Sequence, residues 1–148
     1  MTFTLGNASN NRLMTCHTDL QGWVRAGIVT SPVDLTVICG GRCEQEQETA
    51  FDAGKSKAHF GQSPHNWGPS LAVDIMPYVD GAIVWDAEHD AFKELLNHMS
   101  QVAVDLYNDG AIDNHIESAW RQWGWDGPHW QFRKWKVMTD DCTPYTTK

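Results

Sequence analysis

Apolar positions recur along this chain with two periods, and the switches between them set the order of elements. Leu20, Trp23, Val24, Gly27 and Ile28 share one face at helical spacing. Thr18, with Gln21 three positions on, reads as a capping box that starts this first helix. Ser31-Pro32 stops it, because the residue before a proline is pushed out of the helical region. Val33, Leu35, Val37 and Cys39 then alternate as in a strand, and Gly40-Gly41 turns the chain. A short helix from about Glu44 to Ala53 ends at Gly54. Lys55 to Ser70, rich in Gly, Ser, Pro and His, reads as loop. Leu71 to Met76 is a second strand, with Ala72, Asp74 and Met76 on one face and Leu71, Val73 and Ile75 on the other. Pro77 to Gly81 turns, and Ala82 to Trp85 makes a short strand. Phe92, Leu95, Leu96, Met99, Val102, Ala103 and Leu106 predict the longest helix, from about Ala87 to Asn108, closed by Gly110. Asp113 to Trp125 follows neither period clearly, and His129 to Trp135 alternates weakly as a last strand. Strands and helices mix without a βαβ rhythm. The expected fold is therefore α+β, a small antiparallel sheet with flanking helices.

Composition narrows the setting. A length of 148 residues suits one core, so residues 1–148 are expected to form a single domain. No apolar run approaches the roughly 20 residues that span a bilayer, so no membrane anchor is expected. Met1 to Asn11 lacks the basic start and apolar stretch of a signal peptide. Synthesis in a cytoplasm is the expectation, with any action outside dependent on release by another agent. The net charge of −8 argues against a nucleic-acid partner. Arg133, Lys134 and Lys136 gather near the end, and a solvated strand end explains them better than a wall-facing patch. Cys16, Cys39, Cys43 and Cys142 lack zinc-ribbon spacing and are expected as free thiols. Trp120, Trp123, Trp125, Trp130 and Trp135 crowd one segment, mostly as core or pocket wall, with one or two lining a groove.

Asp74 demands a chemical explanation. A carboxylate inside an apolar strand is costly unless it is paired or binds metal. Two further segments stand out, Ser63-Pro64-His65-Asn66-Trp67-Gly68, which runs on to Ala72-Val73-Asp74, and Asp126-Gly127-Pro128-His129. Taken singly, each has an ordinary reading. A histidine in a Gly-rich loop is usually a surface residue, Asp74 can pair with a basic side chain, and Asp126 can be a turn residue before Gly-Pro. His17, His59, His89, His98 and His115 keep such ordinary readings, with His59 near enough to the loop to be a groove candidate. As a set, His65, Asp74 and His129 make the three-ligand combination of a catalytic zinc, with a fourth position open for water.

In that order, Ser-x-His, Gly, Ala-x-Asp and Asp-x-x-His resemble the D-alanyl-D-alanine and L-alanyl-D-glutamate zinc metallopeptidases, especially their short phage endolysins. Val37-Ile38-Cys39-Gly40-Gly41-Arg42 and Ala53-Gly54-Lys55-Ser56 add to the likeness, which runs from about Asp19 to Phe132. The resemblance implies a hedgehog and DD-peptidase-like fold and Zn2+ on His65, Asp74 and His129. It also implies Asp126 as catalytic acid and base, Arg42 as the substrate and oxyanion cation, and Ser63 as a support of the ligand loop. The implied partner is the stem peptide of bacterial peptidoglycan, and the implied setting is a monomeric lysin of a bacteriophage released through a holin. Its rivals are a D-alanyl-D-alanine carboxypeptidase and a non-catalytic hedgehog-like zinc-binding module. Asp126 speaks against the module, which has no need of that carboxylate.

Two departures from the family pattern matter. His65 and Asp74 are nine positions apart, two more than usual, and Pro69-Ser70 reads as an insertion expected to bulge outward and alter the groove wall. After the second histidine the family commonly has Phe-Glu, where this chain has Trp130-Gln131. Gln131 shares the face of His129, so its supporting hydrogen bond is expected to be neutral rather than ionic.

Overall fold

Two helices open the chain in the computed structural model, which describes residues 2–146. They are α1 (Asn7–Leu13) and α2 (Thr18–Thr30), followed by β1 (Leu35–Cys39) and α3 (Glu44–Asp52). A 3-10 turn at Pro64–Asn66 leads into β2 (Trp67–Gly68), β3 (Ala72–Val79) and β4 (Ala82–Ile83). Then come α4 (Asp90–Asn108), β5 (Ile116–Ser118), α5 (Ala119–Trp123), β6 (His129–Phe132), α6 (Trp135–Met138) and β7 (Thr143–Pro144). The main sheet is antiparallel in the order β1-β3-β6-β5, with β4 paired to β3, and β2 pairs separately with β7. The α+β architecture expected from the sequence is the one observed.

Helices α2 and α4 cover one face of this sheet. Leu20, Trp23, Val24 and Ile28 of α2 and Leu95, Met99 and Ala103 of α4 meet Val37, Val73, Ile75, Trp130 and Phe132 in one buried cluster. The two helices approach closely at Gly27, where a Cβ would collide with the Met99 side chain. Trp23 is fully buried and donates its indole N–H to the Met99 carbonyl at 2.9 Å, so its one polar atom is satisfied. Truncating such a residue to alanine typically costs about 3–5 kcal/mol.

Several elements differ from expectation, each for a local reason. Helix α1 precedes the expected first helix. It has only Leu13 as a buried apolar residue, too little for a periodic signal. It covers the outer edge of β1 instead: Val37 donates its N–H to Ser9 Oγ, and Arg12 donates to the Val37 carbonyl. Closing an edge strand in this way removes a site for strand addition. The caps also change. His17, not Thr18, caps α2, accepting the Asp19 N–H at 3.0 Å, and Gln21 donates to the Cys16 carbonyl rather than closing a box. His89 caps α4 by accepting the Ala91 N–H, which moves that helix start to Asp90. Strand β3 runs through Pro77 to Val79, leaving a two-residue turn at Asp80-Gly81, both with positive φ, as tight hairpins require. The unassigned Asp113–Trp125 segment holds β5 and α5. Strand β6 stops at Phe132, and Trp135 begins α6.

The inserted Pro69-Ser70 does not simply bulge. Pro69 is exposed, but Ser70 is fully buried and bridges to Cys16, with Ser70 N–H donating to the Thr15 carbonyl. Pro69 lines a cavity with His17, Leu71 and Cys142, not the cleft that holds His65. The insertion thus anchors the loop to the α1–α2 junction and leaves the groove wall to other residues.

Candidate metal centre and its cleft

Alternation along each strand sends one row of side chains to the helix-covered core and the other to the opposite face. On β6, Trp130 and Phe132 enter the core, so His129 and Gln131 face the other way. On β3, Val73 and Ile75 enter the core, so Asp74 faces with His129, its direct cross-strand partner. Glu117 of β5 is the partner of Gln131. Strand β1 would bring Cys39 to the core face by strict alternation with Leu35 and Val37. A bulge between Val37 and Cys39 shifts the register, so Cys39 lies opposite Asp74 instead. One row, Cys39, Asp74, His129, Gln131 and Glu117, therefore crosses the sheet on its open face.

His65 arrives from the 3-10 turn. Ser63 caps that turn by accepting the His65 N–H at 3.2 Å, and Asn66 Oδ1 accepts the Ser63 N–H at 3.1 Å. His65 Nε2 lies 3.0 Å from Asp74 Oδ1 and 3.1 Å from His129 Nδ1, and His129 Nδ1 lies 3.2 Å from the same Asp74 oxygen. All three residues are buried.

The hydrogen bonds behind these atoms fix what the atoms offer. His65 Nδ1 lies 2.7 Å from the Gly40 carbonyl, which can only accept, so Nδ1 carries the proton. Gln131 Nε2 faces the Glu117 carboxylate at 3.4 Å, which leaves Gln131 Oε1 to face His129 Nε2 at 2.9 Å. His129 Nε2 is therefore the protonated nitrogen. Both histidines then turn lone pairs toward Asp74, and three acceptor atoms crowd one point. Such a cluster needs a cation or an added proton. Ligand atoms around a tetrahedral zinc, each about 2.0–2.1 Å from the ion, stand about 3.3 Å apart, so the donor set and its spacing fit. In the metal-free protein, burial works against charge on His65. The Asp74 carboxylate outweighs it and raises the pKa from 6.5 to about 10, while Asp74 is held well below the usual carboxylate range.

Cys39, His65 and Asp74 also bring possible ligand atoms within 4.8 Å of one another. Cys39 Sγ, however, lies 3.8 Å from the Nδ1 side of His65, the nitrogen already bonded to Gly40. The lone-pair side of His65 faces Asp74 and His129, so geometry favours His129 as the third donor.

A family model described as phage L-alanyl-D-glutamate peptidase matches residues 1–129. The chain belongs to that family. It is also 32% identical over 75 residues to the peptidoglycan L-alanyl-D-glutamate endopeptidase CwlK of Bacillus subtilis (strain 168). That match takes in 45% of this chain and 44% of CwlK, less than half the length of the relative. The crystal structure of the Serratia marcescens L-Ala D-Glu endopeptidase ChiX superposes with a TM-score of 0.71. It covers 90% of this chain and 93% of ChiX at 23% identity, a likeness of fold.

The remaining family-matched residues surround the centre. Arg42, Ser63, His65, Asp74, Asp126 and His129 line one cavity of about 110 Å³, together with Lys55, Ser56, Lys57 and Trp125. Asp126 has φ of +59° and its carbonyl accepts the His129 N–H, so one tight turn places both side chains. Burial raises the Asp126 pKa and the Asp74 charge adds to this, partly offset by the histidines and Arg42. Arg42 donates to Gln47 Oε1 at 3.0 Å and its Nη2 lies 3.9 Å from Asp74 Oδ2.

Other residues of the site have no motif of their own. Gln47 is fully buried. Its oxygen accepts from Arg42 and Asn66, and its amide donates to Ser56 Oγ and the Ala58 carbonyl. Gly40 holds His65 through its carbonyl in a position where a Cβ would collide with the Arg12 carbonyl. Glu117 stands behind Gln131 and also pairs with Arg133 at 3.5 Å. The hydrogen bond to His129 is thus the neutral one expected from Gln131, with a carboxylate one strand further away acting through that amide. Sequence spacing could flag Gln47, one helical turn after Cys43. Glu117 required knowledge of the β5–β6 register. His59 pairs with Glu48 at 2.8 Å and stacks on Phe51, outside this cavity.

Proposed function

We propose that this protein is a zinc-dependent peptidoglycan endopeptidase that hydrolyses the L-alanyl-D-glutamate amide of the stem peptide. His65, Asp74 and His129 are its metal ligands. The observation that carries the reading is the convergence of three lone-pair atoms within 3.0–3.2 Å of one another. Family membership supports the substrate class.

Zinc held by such a set supplies a Lewis acid for the scissile carbonyl and lowers the pKa of a bound water to about 7. The chain's own groups do the rest. Asp126 takes the proton of the attacking water and hands it to the departing amine, a role suited to a carboxyl whose pKa is raised. Arg42, tethered by Gln47, directs a fixed cation at the carbonyl oxygen as negative charge grows there. Gly40 and Gln131 lock the tautomers that leave both ligand nitrogens free for metal. As a phage lysin, the protein would be made in the host cytoplasm and reach the wall after release, through a holin. Among the described residues no helix is long and apolar enough to cross a membrane.

The test is metal titration of the metal-free protein, paired with wall hydrolysis. One zinc per chain, lost in His65→Ala and retained in Asp126→Asn with hydrolysis strongly reduced, is the expected pattern. Stoichiometric zinc in His65→Ala would overturn the ligand assignment.

A further inference from the structure

The cleft departs in charge from the chain that carries it. The whole sequence has a net charge of −8, yet Arg42, Lys55 and Lys57 line the cavity around the candidate centre. A wider groove of about 310 Å³ continues from that cavity, lined by Trp123, Trp125, Trp135, Lys57 and Lys136 among others. Lys57 belongs to both. Its ammonium stands 4.4 Å from the centre of the Trp125 ring. Trp125 lies 5.5 Å from Trp123, which stacks on His129 at 6.0 Å and 23°. An aromatic ladder thus runs from a ligand imidazole to a lysine ammonium.

Among the described residues, no carboxylate lies within ion-pairing distance of Lys57, nor of Lys55 and Lys136 nearby; Lys57 is the one of the three that lines both cavities and rests on Trp125. Of the cavity's own acids, Asp74 is engaged by both imidazoles, and Asp126 forms no ion pair with Lys57 among the described residues. A lysine laid on an indole face keeps its stem covered and its head available. At the mouth of a reaction cleft, that head is a receptor for an anion.

The bond in question supplies one. Cleavage at an L-alanyl-D-glutamate amide releases the glutamyl nitrogen. When the peptide continues through the glutamyl side chain, the α-carboxylate remains free, attached to the carbon that bears that nitrogen. Amidation of that carboxylate removes the charge without changing the scissile bond.

We propose that Lys57 is a specificity-determining residue that binds the free carboxylate on the glutamyl side of the scissile amide, so that the enzyme discriminates acid from amide at that position. The assignment rests on the endopeptidase reading above.

The experiment compares two synthetic stem peptides that differ only in D-glutamate or its α-amide at this position. The enzymes are zinc-loaded wild type, Lys57→Met, Lys57→Arg and Lys134→Met, the last removing a charge outside both cavities. An exposed ion pair supports a discrimination of up to about fivefold. Wild type and Lys134→Met should prefer the acid peptide by that factor, chiefly through KM. Lys57→Met should bring the ratio close to one, and Lys57→Arg should restore much of it. Calorimetry with metal-free protein and the two amino-terminal glutamyl products should rank their binding in the same order. Equal handling of both peptides by wild type, or a preference that survives Lys57→Met, would overturn this assignment alone. Failure of wild type to cut either peptide would overturn the endopeptidase reading, and this assignment with it.

Discussion

On the floor of the cleft, His65, Asp74 and His129 are each fixed from behind. His65 is tied to the Gly40 carbonyl, His129 to Gln131, and Asp74 sits in the interior of β3 between β1 and β6. On the rim, Trp123 and Trp125 are 45% and 44% exposed and touch their neighbours through ring faces, with Lys57 resting on the outer one. The floor has one low-energy arrangement, because moving either imidazole breaks a buried hydrogen bond. The rim has broad, weakly directional contacts that adapt to what lies against them. The contrast separates two tasks: holding reacting atoms in place, which tolerates little displacement, and gripping the remainder of a substrate, which needs surface and charge.

Substitutions can break that contrast or sharpen it. The largest effect is expected on the floor. His65→Ala or His129→Ala should abolish stoichiometric zinc, read by elemental analysis after gel filtration, and hydrolysis should fall to background. Next, Asp126→Asn should retain zinc while hydrolysis drops by about 10²–10⁴-fold, the usual contribution of a positioned acid and base. Asp126 must be ionised to accept a proton, so activity should fall as pH drops through its pKa. Burial raises that pKa, so the acid limb should lie above the ordinary value of 3.8, and it should vanish in Asp126→Asn. Third, Arg42→Ala should lower kcat by about 10²–10³-fold with zinc affinity little changed. Fourth, Gln131→Ala, measured by competition with a chromogenic chelator, should weaken zinc binding by about 10–100-fold. Glu117→Ala should do so by less, because Glu117 acts through the Gln131 amide. Trp125→Ala should have the smallest effect of the series on zinc and kcat and show itself mainly in KM. A rim variant that lost zinc, or a floor variant that kept full activity, would dissolve the distinction.

The floor was also the more legible part of the sequence. Asp74 declared itself as a charge in an apolar strand, and the local motifs around His65 and His129 placed the other two donors. Strand alternation alone puts Asp74 and Met76 on the face away from Val73 and Ile75. What alternation cannot supply is register. Cys39 was expected to share a face with Val37 and instead lies opposite Asp74, because a bulge adds one residue between them. Glu117 stayed hidden for the same reason: its meaning depends on pairing with Gln131 across β5 and β6. Short elements escaped because they carry too few apolar positions, as in α1, where Leu13 is the one buried apolar residue. The rim was legible only as a crowd of tryptophans. Which of them are core, as Trp130 is, and which are platform, as Trp123 and Trp125 are, depends on the chain path between α5 and β6.

Digestion of intact peptidoglycan by the zinc-loaded protein, followed by mass spectrometry of the products, tests the central claim most directly. New peptides with amino-terminal D-glutamate, formed with zinc and absent with Asp126→Asn, are the predicted result. Release of free D-alanine, or an unchanged wall to which the protein binds tightly, would contradict it.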